Sequence, residues 1–180
     1  MSLVTTRTAE DVDLTDTRQL RGAFGTFATG VTVVTVGGHA WRGMTANSFT
    51  ALSLDPPLVL VCVGKEAVMH GSLTGAEDFS VSVLAAGQED VARHFADPTR
   101  PSGLSQFATV GWEPGRATDA PLIAGADAHF ECVRQEVYDG GDHTIFIGRV
   151  VAARKRPPAA DTLVFRSGRF RGLTEEREAA

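Results

Sequence analysis

Short hydrogen-bonding side chains crowd one stretch of the chain: Thr45, Asn47, Ser48, Thr50 and Ser53 precede a Pro56-Pro57 corner and the apolar run Leu58 to Val63. A strand bound for an ordinary core carries Val, Ile or Leu inward, and buried polar side chains are costly unless paired. Two arrangements meet that demand. Either the hydroxyls bond the chain's own backbone, a cheap and frequent pattern, or a planar polar ligand lays an edge of alternating donors and acceptors against them. The other chemistry-bearing group is Gly141-Asp142-His143, an imidazole beside a carboxylate in a glycine-rich stretch. On residue types alone it is either a solvent-exposed turn or a positioning pair.

Several chemistries are missing. There is no Gly-x-Gly-x-x-Gly turn, phosphate loop or Gly-x-Ser-x-Gly elbow, so a nucleotide bound here is not held in those ways. Carboxylates are scattered through turns and surface-like runs such as Glu89-Asp90, and no acid/base pair emerges from their spacing. His39, His70, His94, His129 and His143 form no His-x-x-x-His pair, which leaves metal chemistry unsupported. Cys62 and Cys132 each lie in an apolar run and read as buried thiols rather than a disulfide. A formal net charge of -5 argues against a sequence-independent grip on nucleic acid. Arg154-Lys155-Arg156, ahead of Pro157-Pro158, reads as a solvated strand exit. No run approaches the roughly 20 apolar residues of a membrane span, and the first residues lack the apolar stretch of a secretory signal. The expectation is a cytoplasmic protein without a membrane partner.

The elements that must position these groups follow from periodicity. With 180 residues and 43% hydrophobic content, one packed domain is expected over 13–173, between a flexible N-terminus (1–12) and a flexible tail (174–180). Asp16 and Gln19 have the spacing of a capped helix start, and Leu20, Ala23, Phe24 and Phe27 then recur at helical intervals. This predicts a helix over 16–28 lying as a lid on a sheet, with Thr29-Gly30 as its stop. Strand patterns follow at 31–36, 40–49, 58–63, 79–84 (alternating, half-buried), 129–138, 144–153 and 162–165, with short helices near 67–73 and 88–95. The Asp-Gly-Gly-Asp-His stretch at 139–143 has the composition of a hairpin turn, and 97–125 that of an ordered surface excursion. The fold class is mainly β with inserted helices, a closed or partly closed antiparallel barrel.

Several segments in order and at matching separations resemble the flavin reductase-like family, the NAD(P)H-dependent reductase components of two-component flavin monooxygenases. They are Phe24 to Val34, Gly43-Met44-Thr45-Ala46-Asn47-Ser48-Phe49, Ser53 to Val59, Phe79 to Leu84 and Gly141 to Val150. The resemblance implies an FMN-binding split barrel that forms a homodimer, with FMN or FAD in a groove near the subunit interface. It further implies that Thr45, Ala46, Asn47 and Ser48, together with Ser53, line the flavin, while Cys62 and Val63 run along the isoalloxazine or ribityl chain. His143 then positions the nicotinamide of NADH, with NADPH as the alternative donor, and Asp142 orients the imidazole. A flavin phosphate needs positive charge or converging N–H groups, for which Lys65, Arg93 and Arg169 are the candidates.

The implied reaction is hydride transfer from NADH to FMN or FAD, supplying reduced flavin to a separate monooxygenase. It requires no side-chain nucleophile, in keeping with the missing acid/base pair. Two rival readings are an FMN-dependent oxidase of the pyridoxamine-phosphate type and a non-catalytic barrel that binds flavin or another small ligand.

Overall fold

Asp16 caps the first helix as its spacing predicts. Its carboxylate accepts from the Arg18 and Gln19 N–H groups at 2.8 and 3.3 Å, and the Gln19 side chain donates to it at 3.2 Å. In the computed structural model, which describes residues 9–38, 41–157 and 161–174, this helix is α1 (Thr17–Phe24). It is followed by β1 (Thr29–Gly30), β2 (Thr32–Val36), β3 (Arg42–Ala46), β4 (Thr50–Leu54), β5 (Pro57–Gly64), α2 (Val68–Gly75) and β6 (Asp78–Val83). The chain continues through α3 (Glu89–Ala96), β7 (Trp112–Pro114), β8 (Pro121–Ile123), β9 (Ala128–Gly140), β10 (His143–Lys155), β11 (Asp161–Arg166) and β12 (Arg169–Thr174). Of the two stretches expected to be flexible, 1–8 and 175–180 lie outside the described residues.

Seven strands form one antiparallel sheet in the order β3-β2-β6-β9-β10-β5-β4. β3 and β4 lie at its two margins, yet only Asn47, Ser48 and Phe49 connect them. From Ala46 to Thr50 a fully extended chain reaches about 14 Å, so the sheet must curl until its margins meet. The outcome is the split barrel anticipated from the sequence. A smaller sheet, β1-β11-β12, and the β7–β8 hairpin complete the fold.

Val34, Val61, Phe79, Val81 and Phe146 fill the barrel and are wholly buried. Gly148 of β10 crosses this core where no side chain fits: a Cβ there would lie 2.5 Å from Phe79 Cζ and 2.8 Å from Cys132 Cβ. A second core of Leu84, Ala92, Phe95, Phe107 and Ile123 joins α3 and the 97–125 excursion to the barrel.

Four local expectations are corrected. β6 is not half-buried, since Phe79, Ser80, Val81 and Ser82 are all inaccessible. The excursion covers its other face, with Ser82 Oγ accepting from the Ile123 N–H at 3.0 Å and Ser80 sharing a hydrogen bond with Thr118 at 2.9 Å. α1 ends at Phe24 and buries none of its residues, so its stripe is no lid on this chain's sheet; Phe24 is 69% and Phe27 77% exposed. Thr29 and Gly30 do not merely stop a helix but pair with Phe165 and Val164 of β11. The strand predicted over 40–49 breaks after Ala46, and its first position lies outside the described residues.

Candidate functional site

At the seam of the curled sheet a side chain takes over from the backbone ladder. Ser48 Oγ donates to Cys62 O at 2.9 Å and accepts from the Cys62 N–H at 3.0 Å, continuing past the last β4–β5 pair, Thr50 with Leu60. Thr45 Oγ1 donates to Ala92 O of α3 at 2.7 Å. These two hydroxyls therefore follow the backbone-bonded arrangement. Asn47 differs: it is exposed and lines three adjoining clefts.

Met44 to Ser48 form one wall of a cleft of about 300 Å³, Cys62 and Gly64 the other, and His143 its rim. Of the residues nominated from the sequence, the structure thus brings Thr45, Ala46, Asn47, Ser48, Cys62 and His143 together around one cleft. Val63 is fully buried in the barrel core, where only its backbone could face a ligand. Ser53 pairs with Leu58 on β4, outside the lining of this cleft.

Gly141 and Asp142 connect β9 to β10, and Gly141 has φ +80°, a left-handed conformation that glycine adopts freely at the first position of a type II′ turn. His143 consequently opens β10 instead of lying in the turn, flanked by Gly140 and Gly64 across the ladders. Its Nδ1 donates to Asp142 Oδ1 at 2.7 Å, which leaves Nε2 for a ligand. The hydrogen bond and charge of His143 hold the Asp142 carboxyl below the usual range, with Arg21 adding to the effect. A lowered carboxyl pKa means that the contact is intact above the ordinary carboxylate range and is lost as pH falls through the lowered value. Between about pH 5 and 8 the imidazole keeps its anchor.

Of the three cations nominated for a phosphate, Lys65 and Arg93 are engaged with other side chains and Arg169 is exposed. Lys65 pairs with Asp139, and its N–H donates to Asp142 O at 3.0 Å, tying the end of β5 to the hairpin. Arg93 Nε donates to Glu89 at 2.9 Å and its guanidinium lies 5.1 Å from the Phe170 ring centre. Arg169 is exposed at the β11–β12 turn, opposite Arg166.

Arg42 and Arg100, with Glu66, line an adjoining cleft of about 340 Å³ that shares Met44 and Thr45 with the first and reaches the start of α2. Arg42 is only 8% exposed, and the Nε of each arginine is shielded from water without an acceptor among the described residues. Arg100 also donates to Gly43 O and Asp97 O. Burial and then the Arg42 charge push its pKa down to about 10, so it is a cation at neutral pH. Unmet guanidinium donors in a cleft fit an anionic oxygen. Arg42 heads the polar stretch in sequence, but only the packing of α3 and its following loop brings Arg100 beside it, and no spacing reveals that.

Burial raises the Cys62 thiol above its ordinary pKa, and burial with the nearby Glu131 charge pushes Cys132 up to about 12. Less thiolate is present at a given pH. Alkylation at pH 7.5 is therefore expected to be slow at Cys62 and undetectable at Cys132 until the chain is unfolded. Mass spectrometry of iodoacetamide-treated protein over a pH series checks this.

A polar cleft, with the Asn47 amide in its wall and the His143 imidazole at its rim, thus lies beside a cationic one along the seam of a curled antiparallel sheet. The model of the flavin reductase like domain matches residues 24–174, and the chain belongs to that family. It is 60% identical over 178 residues to the NADH-dependent FAD reductase of Streptomyces globisporus, covering 99% of this chain and 97% of that one. The solved structure of Streptomyces globisporus C-1027 NADH:FAD oxidoreductase SgcE6 in complex with NAD and FAD fragments is 57% identical. It covers 94% of this chain and 100% of its own, with a TM-score of 0.88. BorF, the flavin reductase component of a bacterial two-component tryptophan halogenase, is 55% identical with a TM-score of 0.85, covering 89% of this chain and 100% of its own. Among the described residues no helix is long and apolar enough to cross a membrane, and no group of side chains could hold a metal ion.

Proposed function

We propose that this chain is an NADH-dependent flavin reductase that supplies reduced FMN or FAD to a separate monooxygenase. The observation that carries this reading is the adjacency of the Asn47–His143 cleft to the Arg42–Arg100 cleft, joined through Met44 and Thr45. When bound, the flavin supplies an N5 that accepts hydride from C4 of the nicotinamide. The chain's own residues bind and orient. Asn47 offers amide donor and acceptor to the ring edge and a donor to negative charge growing there. Ser48 fixes Cys62 so that β5 forms a firm second wall, and Thr45 ties the first wall to α3. Arg42 and Arg100, rather than Lys65, Arg93 and Arg169, take the phosphate, a reading supported by their unmet Nε donors in the adjoining cleft. His143, oriented by Asp142, presents Nε2 to the nicotinamide carboxamide.

NADH oxidation followed with and without added FMN or FAD tests the activity, and no flavin-dependent oxidation overturns it. Replacing His143 by Ala is expected to lower kcat/KM for NADH roughly tenfold, about one hydrogen bond to a partly charged group, without changing flavin affinity. Equal NADH kinetics in the two proteins removes the assignment of His143. A dialysis membrane between reductase and oxygenase tests whether reduced flavin travels free: continued coupled turnover is expected.

A homodimer completes the proposal. Leu54 of β4 is 93% exposed, and Val133 and Tyr138 of β9 and Val151 of β10 are also open, exposed apolar side chains that a second copy of the chain covers. Leu54→Glu is expected to shift sedimentation from dimer to monomer. Two free cysteines and a reduced pyridine nucleotide as donor fit a cytoplasmic setting.

A further inference from the structure

At the end of β10 remote from His143 lies a second cavity, of about 620 Å³, that shares no lining residue with the two clefts described above. His143 and Arg154 are separated by roughly 35 Å along the strand. Arg154, Lys155 and Arg156 line it from the end of β10, His129 from β9, and Trp112 and Glu113 from β7. The basic run that reads in sequence as a solvated strand exit is thus one wall of an open, solvent-facing hollow.

The wall has unmet donors. Arg154 Nη2 lies 2.8 Å from Glu113 Oε1 and forms an ion pair with it, yet among the described residues neither Nη2 nor Nε has an acceptor in hydrogen-bond alignment, and these two atoms are closed off from solvent. A guanidinium in that state costs free energy that an aligned anion would recover. Arg156 is steadied beside it by donating to Gly125 O at 2.9 Å, and Gly125, at φ +83°, holds a backbone form that side chains disfavour. Against these cations Glu113 is the one carboxylate in the lining among the described residues, in a chain whose net charge is -5. Trp112 is partly exposed, with its ring braced edge-on by Trp41 at 5.4 Å and by the tilted ring of Phe107 at 5.8 Å, and offers a fixed flat surface.

We infer that this cavity is a binding site for a small ring-bearing anion, with a phosphate or carboxylate on Arg154 and Arg156 and a planar ring against Trp112. The volume falls in the range of ligand sites for small molecules, and the pairing of guanidinium forks with a rigid aromatic wall selects for both halves of such a ligand.

The two tryptophans of the chain are Trp41 and Trp112, so a Trp41→Phe chain carries a single tryptophan, in the lining of the cavity. In that background the flavin-free protein is titrated with ADP, with benzoate and with inorganic pyrophosphate. Saturable change of fluorescence with ADP or benzoate is expected, and the stronger of the two distinguishes a nucleotide from an aromatic acid; pyrophosphate, lacking a ring, binds at least tenfold more weakly. Arg154→Gln with Arg156→Gln is expected to weaken binding at least tenfold while leaving NADH:flavin turnover unchanged. Arg42→Ala with Arg100→Ala is expected to leave the titration intact. The exposed Arg156→Gln alone serves if the double variant is poorly folded, with a smaller loss of the same kind. An absent or linear response, or one abolished at Arg42 and Arg100 but not at Arg154 and Arg156, overturns the inference.

Discussion

Replacing Arg42 and Arg100 by Ala together is expected to weaken FMN and FAD binding about a hundredfold while riboflavin, which lacks the phosphate, binds as before. Each charge-assisted hydrogen bond contributes about 1.5 to 3 kcal/mol, and two such losses reach that factor even with imperfect additivity. Riboflavin serves as the internal control, because the variant also removes the bonds from Arg100 to Gly43 O and Asp97 O. General disturbance of the loop would weaken all three flavins alike. Loss confined to the phosphorylated ones assigns the guanidiniums to the phosphate, whereas equal affinities for FMN in variant and parent remove them from the site. The Arg100 pKa of about 10 adds a sign: a bound phosphate raises it, so FMN affinity is expected to hold through neutral pH and to decline as pH rises toward 10.

The largest effect on stability is expected at Gly148. A valine there places its Cβ 2.5 Å from Phe79 Cζ and 2.8 Å from Cys132 Cβ, and both neighbours are fully buried. Overpacking of this kind costs about 3 kcal/mol or more, which in a chain of this size lowers Tm by about 10 °C. Gly71→Ala in α2 is the matched control, since a Cβ there meets nothing within 4 Å and alanine favours the helix by about 1 kcal/mol. Calorimetry of the two variants beside the parent reads both signs, and a Gly148→Val chain melting with the parent would show that β10 can move off Phe79.

Much of this was legible in the residues themselves. The Asp16–Gln19 cap, the Gly141-Asp142 connection and the β5, β9 and β10 strands follow from local chemistry that tertiary packing left in place. The crowding of Thr45, Asn47 and Ser48 marked the site, but residue types do not say which hydroxyls the chain itself uses. Ser48 is consumed by Cys62 and Thr45 by Ala92, partners 14 and 47 residues away. Arg42 and Arg100 escaped for the same reason, since a cationic pair made by docking a loop on a strand has no period. β6 was misjudged because the 97–125 excursion, with the short β7–β8 hairpin it carries, covers the serine-bearing face.

The Ser48 stitch has a consequence beyond the site. A curled sheet that stops short of closure keeps a raw margin, and exposed margins template the pairing of other chains and so seed aggregates. With its hydroxyl serving as both donor and acceptor, Ser48 occupies one rung of that margin, so the opening that admits a flat ring does not also admit a foreign strand.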